Sequence, residues 1–348
     1  MHPLSQLVRD VDATHPRLGQ LVAAAVLAAK ARRAMLVVAP AGTGKSAASE
    51  VLSHLFSPVL RYTSRTQASL EHVAGQLNGF KGLVIFDDLG AIDNVYSRKD
   101  TLQTFAVLAY DHRIDRATKL HEFSITEFSG AVLMNIQPSV LSLIVNRAEW
   151  EAVIQDKTLR YYHLFRPLKP NAQAPKLSFD LGIDIESVAT PSLRSKLAKK
   201  LLELGYIEWG VARAEEHITA LLRAAAAIAK RREVTSEDYR IVMKLLAPLA
   251  IESIVINKSE FEGSRFLDST LLCVLVELAS YGMFTLDQIC RDYKVSHPTA
   301  LGLLKRVESY LQASRSSTLC YYPTTQLAKI LQRMGVKTQS LTEAQKRR

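Results

Sequence analysis

Short apolar runs alternate with longer segments of helical periodicity in the first half of the chain. The runs are four to six residues long and contain consecutive apolar side chains, which is typical of strands buried on both faces of a parallel sheet. We predict five strands, at Met35 to Val38, Pro58 to Tyr62, Leu83 to Phe86, Gly130 to Asn135 and Tyr161 to Phe165. This order predicts an α/β core with a parallel sheet over residues 1–170.

The pattern becomes entirely helical in the middle of the chain. A segment with three prolines, Arg166 to Lys176, closes the α/β core. Three helices are predicted after it, at Leu193 to Leu204, at Arg213 to Arg231 and from Val234 onward. Thr235 followed by Asp238 predicts a capping box at the start of the third helix. Residues 171–255 are therefore predicted to form a helical subdomain.

A different pattern begins after a polar linker at residues 256–265. Helices are predicted at Leu267 to Tyr281, Thr285 to Tyr293 and Ser296 to Leu311, with Ser296 as a cap and Pro298 in the first turn. Two strand-like pieces between residues 314 and 322 then predict a hairpin. Three helices and a hairpin predict a winged helix over residues 266–335, before a basic tail at 336–348.

The first strand leads into a glycine-rich loop. The segment Ala39 to Ser46 reads APAGTGKS, which has the form of a phosphate-binding loop. Backbone N–H groups of this kind of loop face an anion, and the following helix adds the positive end of its dipole. We therefore predict that the loop binds ATP through Ala41, Gly42, Thr43, Gly44, Lys45 and Ser46. Lys45 is predicted to reach the β- and γ-phosphates, and Ser46 to bind Mg²⁺.

Polar side chains end two other predicted strands. Asp87 and Asp88 follow Leu83 to Phe86, so the carboxylates would lie where ligands bind in open α/β folds. Asp87 is predicted to bind Mg²⁺, and Asp88 to polarise the attacking water. Asn135 ends the next buried strand, where its amide could orient that water. The segment Asp111 to Thr126 fits a β-hairpin with a basic tip, but a solvated loop is the favoured interpretation.

Charge and composition narrow the class of protein. The 348 residues carry a formal net charge of +10, and the pI is near 9.4. From Phe266 onward there are eleven Lys and Arg against six Asp and Glu, so half of the excess lies in the last quarter. This balance favours a polyanionic partner such as DNA. Three scattered cysteines, no apolar leader and no long apolar stretch predict a cytoplasmic protein with no membrane contact.

The order of these motifs resembles the AAA+ ATPases, and the resemblance covers about Pro16 to Pro167. It implies a Mg²⁺- and ATP-dependent hydrolase with catalytic residues Asp88, Asn135 and Arg160. Asn135 corresponds to the residue called sensor 1. Arg160 corresponds to the arginine finger that completes a neighbouring subunit's site, with Arg147 as a competing candidate. The resemblance therefore implies a ring or filament of identical subunits. The second carboxylate of the family is usually glutamate, and Asp88 departs from it.

The helical segment is similar to the AAA+ lid of the minichromosome maintenance and MoxR-type branches. In these branches ATP lies between core and lid, and an arginine on the long helix touches the γ-phosphate. Glu216 occupies the aligned position here and cannot do this. Arg213 is the substitute that we predict for the nucleotide site, and Arg223 matches a second basic position. Surface charge is an equal alternative for both arginines.

The three-part order resembles the archaeal origin-recognition initiators and the helicase relatives carried by viruses and plasmids. It implies an oligomeric ATPase that binds DNA and acts in DNA replication as initiator, helicase or helicase loader. The DNA-binding residues expected on the third helix and wing are His297, Thr299, Lys305, Arg306 and Arg315. Two alternatives stay open. One is a remodeller of protein complexes that docks a protein partner through the winged helix, and the other is an ATP-switched transcription regulator.

Overall fold

The computed structural model describes residues 1–63, 67–92, 94–117, 122–145, 150–165, 177–206, 209–252, 277–315, 318–333 and 338–345. The two predicted linkers and most of the helix predicted at Leu267 to Tyr281 lie outside these ranges, as does Arg147. Within the ranges, no helix combines the length and the apolarity needed to span a bilayer.

A five-stranded parallel sheet forms the centre of the molecule. Its strands are β1 (Ala34–Val38), β2 (Val59–Tyr62), β3 (Leu83–Phe86), β6 (Ala131–Ile136) and β7 (Thr158–Tyr162). Their order is β2-β3-β6-β1-β7, and every neighbouring pair is parallel. The predicted α/β core with a parallel sheet is thus confirmed. The last strand begins three residues earlier than expected, which places Arg160 inside the strand instead of before it.

Helices cover both faces of this sheet. The described helices that accompany it are α1 (Pro3–Thr14), α2 (Gly19–Lys30), α3 (Lys45–Leu55), α4 (Gln67–Leu77), α5 (Val95–Asp111), α6 (Pro138–Val145) and the short α7 (Gln155–Lys157). Alternate residues of β1 enter different hydrophobic clusters, because successive side chains of a strand point to opposite faces. Met35 and Val37 pack with α1, α2 and α3. Leu36 and Val38 pack with α4, α5 and α6.

The hairpin predicted as the less favoured interpretation is present. β4 (Ile114–Ala117) pairs antiparallel with β5 (Glu122–Ile125), and the four residues at the tip lie outside the described ranges. Phe123 and Ile125 are buried, whereas Glu122 and Ser124 are exposed. This alternation packs one face of the hairpin on the core, so the favoured prediction of a solvated loop is wrong.

The middle of the chain forms a bundle of α8 (Lys196–Tyr206), α9 (Val211–Ile228) and α10 (Ser236–Leu246). The capping box at Thr235 and Asp238 is present: the Thr235 N–H donates to Asp238 Oδ2 at 2.7 Å. Apolar residues of all three helices lie in the same hydrophobic cluster as α1, α2 and one face of the sheet. The bundle and the sheet therefore share one core.

The C-terminal part contains a small antiparallel sheet of β8 (Phe284–Thr285), β10 (Leu319–Pro323) and β9 (Leu311–Arg315), in that order. Its helices are α11 (Leu286–Tyr293), α12 (His297–Arg306), α13 (Thr325–Arg333) and α14 (Leu341–Gln345). The Ser296 hydroxyl accepts from the Thr299 N–H at 3.4 Å, so the predicted cap of α12 is present. Leu327 and Leu331 of α13 belong to the hydrophobic cluster on the α5 face of the sheet. The C-terminal part therefore packs against the α/β core.

Candidate functional site

The glycine loop lies at the carboxyl edge of the central sheet, between β1 and α3. Gly42 and Gly44 have φ values of +73° and +90°, in the left-handed region where side chains with a Cβ are strained. No atom lies within 4 Å of the place where a Gly42 Cβ would be, so backbone conformation, and not space, requires this glycine. Ala41 and Gly42 are exposed, and α3 begins directly after Gly44. The loop therefore presents a bend and a helix N-terminus to solvent.

The direction of the chain around β1 creates a crevice at this edge. From β1 the chain crosses to β2 through α3 on one face, whereas from β6 it crosses to β7 through α6 on the other face. Adjacent strands whose connections leave to opposite faces open a crevice at their carboxyl ends, which is where ligands bind in open α/β sheets. The glycine loop follows one of these two strands.

Hydrogen bonds on the buried side of the glycine loop fix its conformation. The Thr43 hydroxyl donates to Pro40 O at 2.7 Å, and Lys45 Nζ donates to Ala39 O at 2.6 Å and to Pro40 O at 2.9 Å. His163, just after β7, places its Nε2 3.0 Å from Thr43 O. Burial lowers the pKa of His163 to about 4, and the nearby Lys45 charge acts in the same direction. The neutral imidazole thus donates Nε2–H to the loop. Sequence reasoning missed His163, because the predicted strand Tyr161 to Phe165 placed this residue in its middle, whereas β7 ends at Tyr162.

The two carboxylates after β3 have different partners. Both oxygens of Asp87 lie 3.0 Å from Arg61 Nη2, and Arg61 Nη1 also donates to Glu50 at 2.7 Å. The Asp88 Oδ1 accepts from the Gly90 N–H at 2.8 Å and caps a short 3₁₀ turn. Arg61 was also missed, because an arginine in a short strand has no motif around it.

The amide of Asn135, predicted to orient the attacking water, is buried and does not face the crevice. Asn135 is 1% exposed, and its Nδ2 donates to the buried Ser49 hydroxyl of α3 at 3.0 Å. Gln137 lies just beyond the end of β6 and donates to Asp88 Oδ2 at 3.3 Å. The amide that meets the Asp88 carboxylate is therefore Gln137, two residues after the one predicted.

The structure contradicts the arginine-finger role of Arg160. Its side chain has no exposed area and forms an ion pair with Glu252, whose side chain is equally buried. Arg160 Nη1 also donates to Gln155 O at 2.6 Å and to Thr158 O at 3.0 Å. A guanidinium held inside the protein cannot reach the site of a neighbouring subunit.

The structure also contradicts the nucleotide contact predicted for Arg213. This residue pairs with Asp156 at 2.8 Å, donates to the Tyr110 hydroxyl at 2.8 Å and lies 4.7 Å from the centre of the Tyr110 ring. Asp156 comes just before β7, so Arg213 lies at the amino edge of the sheet. The glycine loop is at the opposite edge. Arg223 is similarly engaged, with Val188 O and Ile185 O at 3.0 Å.

The predicted DNA-binding residues lie on α12 or the adjacent hairpin. His297, Thr299 and Lys305 are exposed on α12, and the His297 ring is 3.9 Å from Asp287. Leu301 in the same helix is 47% exposed. The side chains of Arg306 and Arg315 lie outside the described part of the molecule.

The carboxyl edge of the sheet offers few side-chain donors for a cation. In the described residues, no group of three or more His, Cys, Asp or Glu side chains could hold an ion. Mg²⁺ commonly takes one or two protein oxygens and completes its shell with phosphate oxygens and water. Ser46, exposed in the first turn of α3, and Asp87 are donors of that kind, although Asp87 is held by Arg61.

No protein-family model matches this chain, and no curated protein matches it.

Proposed function

We propose that this protein is a Mg²⁺-dependent ATPase. One observation carries the proposal: a glycine loop with two left-handed glycines opens a helix beside a crevice, with a pair of carboxylates on the same sheet edge. The loop N–H groups and the α3 N-terminus would bind the phosphates, because both present partial positive charge to an anion. Lys45 would leave the carbonyls of Ala39 and Pro40 and turn its ammonium toward the β- and γ-phosphates.

The carboxylates and their neighbours would divide the remaining work. Ser46 and Asp87 would hold Mg²⁺, which supplies charge neutralisation on the transferred phosphoryl group when it is bound. Asp88 and Gln137 form a hydrogen-bonded pair at the crevice and would position the attacking water. Arg61 would be released from Asp87 by the incoming cation, which leaves its guanidinium free beside the phosphates.

We further propose that the protein self-associates and binds DNA in replication, as initiator, helicase or helicase loader. Supporting observations are the net charge of +10 and the exposed polar side chains of α12. With Arg160 and Arg213 committed elsewhere, any residue that completes the site of a neighbour has to come from another position. The proposal of shared sites therefore rests on the family resemblance alone.

A remodeller of protein complexes is the second candidate. Among the described residues of the C-terminal part, four large apolar side chains are exposed: Tyr281, Met283, Leu301 and Leu319. Leu301 lies four residues before Lys305, on a helix surface where a phosphate-binding protein would carry polar groups. Large exposed apolar side chains such as Leu301 are a feature that protein-docking surfaces use.

Steady-state ATP hydrolysis tests the proposal. Turnover should require Mg²⁺, rise when DNA is added and rise per subunit with protein concentration if sites are shared. Lys305→Glu should remove the DNA stimulation and the salt-dependent retention of a duplex, whereas Leu301→Ser should leave both unchanged. A protein that hydrolyses ATP but has no salt-dependent DNA affinity would support the remodeller. Absence of ATP binding would overturn the ATPase proposal itself.

A further inference from the structure

A pocket of about 420 Å³ opens at the amino edge of the central sheet. Ser57, Gly82 and Ser129 line it, and each comes just before a strand: β2, β3 and β6 respectively. The end of α2 and the segment around Ile185 form other walls. The glycine loop lies at the other end of the sheet, and the five residues of β1 between the two edges span roughly 16 Å. The pocket is therefore separate from the proposed ATP site.

The pocket has an excess of positive charge. Three cations line it: Lys30, Arg32 and Lys81. One carboxylate, Asp184, also lines the pocket; it lies 3.6 Å from Arg32, and Glu186 lies 3.5 Å from the same guanidinium. By contrast, the ammonium groups of Lys30 and Lys81 make no hydrogen bond or ion pair within the part of the chain that the structure describes. Two positively charged residues thus line the same pocket without a direct counter-ion in the described part of the chain.

Lys30 is only partly exposed, so its charged form is poorly hydrated and has no direct counter-ion in the described ranges to compensate. Burial lowers the pKa of Lys30 from its ordinary value, because the charged form loses hydration. The carboxylates of Asp184 and Asp180 act in the opposite direction, but neither is within ion-pair distance of Lys30 in the described residues. An anion in the pocket would supply the missing interaction. It would stabilise the charged form of Lys30 at short range.

The other walls indicate what the anion carries. The hydroxyls of Ser57 and Ser129 have no hydrogen-bond partner among the described residues, so both can donate to an oxyanion. Phe56, Leu181 and Ile185 add apolar surface beside them. Cations and hydroxyls next to an apolar wall fit a phosphate joined to an organic body better than an inorganic ion. The volume lies within the range of small-molecule sites.

We propose that this pocket binds a small phosphate monoester of the size of a nucleoside monophosphate. Lys30, Lys81 and the two serine hydroxyls hold the phosphate, and Phe56 and Leu181 contact the organic part. The assignment is independent of the ATPase proposal, because none of these residues belongs to the carboxyl edge of the sheet.

Chemical footprinting of the unaltered protein tests the site without a risk of misfolding. Lysines are acetylated with limiting acetic anhydride, with and without adenosine monophosphate, and quantified by mass spectrometry. Lys30 and Lys81 should react at least fivefold more slowly with the nucleotide present. Lys199 and Lys200, which are exposed on α8, should react at the same rate in both samples. Equal protection of all four lysines, or of none, would overturn the proposal.

Calorimetry separates this pocket from the glycine loop. In a Lys45→Ala background, adenosine monophosphate should bind at one site per chain, and Lys30→Gln with Lys81→Gln should weaken that binding at least tenfold. The matched Lys199→Gln with Lys200→Gln protein should bind normally. With Lys45 restored, the pocket variant should still bind ATP at the loop. Binding that ignores the pocket lysines refutes the site, and inorganic phosphate binding as tightly as the nucleotide refutes the organic part.

Discussion

The two edges of the central sheet hold arginines and carboxylates in different physical settings. At the carboxyl edge the loop at Ala41 and Gly42 is exposed, and the ion pair of Arg61 with Asp87 is partly open to solvent. Near the amino edge the ion pair of Arg160 with Glu252 is completely buried, and Arg213 is held between Asp156 and Tyr110. Residues that bind ligands need partners that they can exchange. The carboxyl edge is therefore suited to ligand binding, whereas the ion pairs near the amino edge stabilise the fold.

The largest expected effect tests the architectural role of Arg160. Arg160→Met should lower the free energy of unfolding by roughly 3 to 5 kcal/mol, because it leaves the Glu252 carboxylate buried without its counter-charge. Urea denaturation measures this change. The double variant Arg160→Met with Glu252→Gln should recover part of the loss. A stable Arg160→Met protein that binds ATP but cannot hydrolyse it would restore the catalytic interpretation.

The next largest effect is the loss of stability at acidic pH that comes from His163. His163 has a folded pKa of about 4 against about 6.5 when exposed, so the unfolded chain binds the proton more readily between these values. Its contribution to stability is fully present above about pH 6.5 and is lost as the pH falls toward 4. That loss is on the order of 3 kcal/mol. Urea midpoints at pH 7.5, 5.5 and 4.5 should decline less steeply for His163→Gln.

The matched control for this experiment is His72→Gln, since His72 is exposed on α4. Its pH dependence should follow that of the unaltered protein. An unchanged slope in the His163→Gln protein would show that this imidazole is not held neutral behind the loop.

A smaller effect compares the two edges directly. Lys45→Ala should weaken ATP binding at least a hundredfold, or about 2.8 kcal/mol, because the ammonium is the only side-chain cation in the proposed phosphate loop. Arg213→Ala should leave ATP affinity within about twofold, since Arg213 lies at the other edge. Calorimetric titration of both proteins decides the matter. Equal losses in the two variants would contradict the assignment of the nucleotide to the carboxyl edge.

The smallest expected effect tests whether Asp87 exchanges Arg61 for Mg²⁺. Arg61→Ala should lower the Mg²⁺ concentration needed for half-maximal ATPase activity severalfold, because Asp87 no longer has to give up an arginine. The gain is limited to about 1 kcal/mol, since the pair is partly exposed and such pairs are weak. Arg9→Ala removes an equivalent exposed charge from α1 and should change nothing. A raised Mg²⁺ requirement in Arg61→Ala would mean that the arginine assists the metal.

The elements that local patterns specify were predictable from the sequence. The buried strands, the glycine bend before α3, the capping box at Thr235 and the Ser296 cap each depend on residues close together in the chain. The start of β7 was misplaced because Thr158 to Arg160 contains polar residues, whereas the structure buries them. The ion-pair partner of Arg160, Glu252, lies about ninety residues away in the chain. Tertiary partners override the local pattern at such positions.

Side-chain roles were less predictable than elements for the same reason. A lysine after two glycines has its position fixed by its own loop, but an arginine on a helix can face any direction. Arg213 was assigned to the nucleotide as a substitute for the lid arginine, because Glu216 occupies the aligned position; in the structure Arg213 pairs with Asp156 at the amino edge. Gln137 and Arg61 received no role because neither belongs to a local motif. The roles of both residues become visible only when the strands lie side by side, because each contacts a carboxylate that follows the neighbouring strand.

The shared core of the sheet, α2 and the α8–α10 bundle has a mechanical consequence. A lid that rotates on a hinge needs a boundary with few apolar contacts, so that opening exposes little surface to water. Here the bundle and the sheet have one continuous apolar interior, and separating them would cost much of the stability of both. This region should respond to a ligand as one stiff body. Conformational changes that accompany the proposed ATP binding and hydrolysis would then occur in loops and ion pairs at its surface.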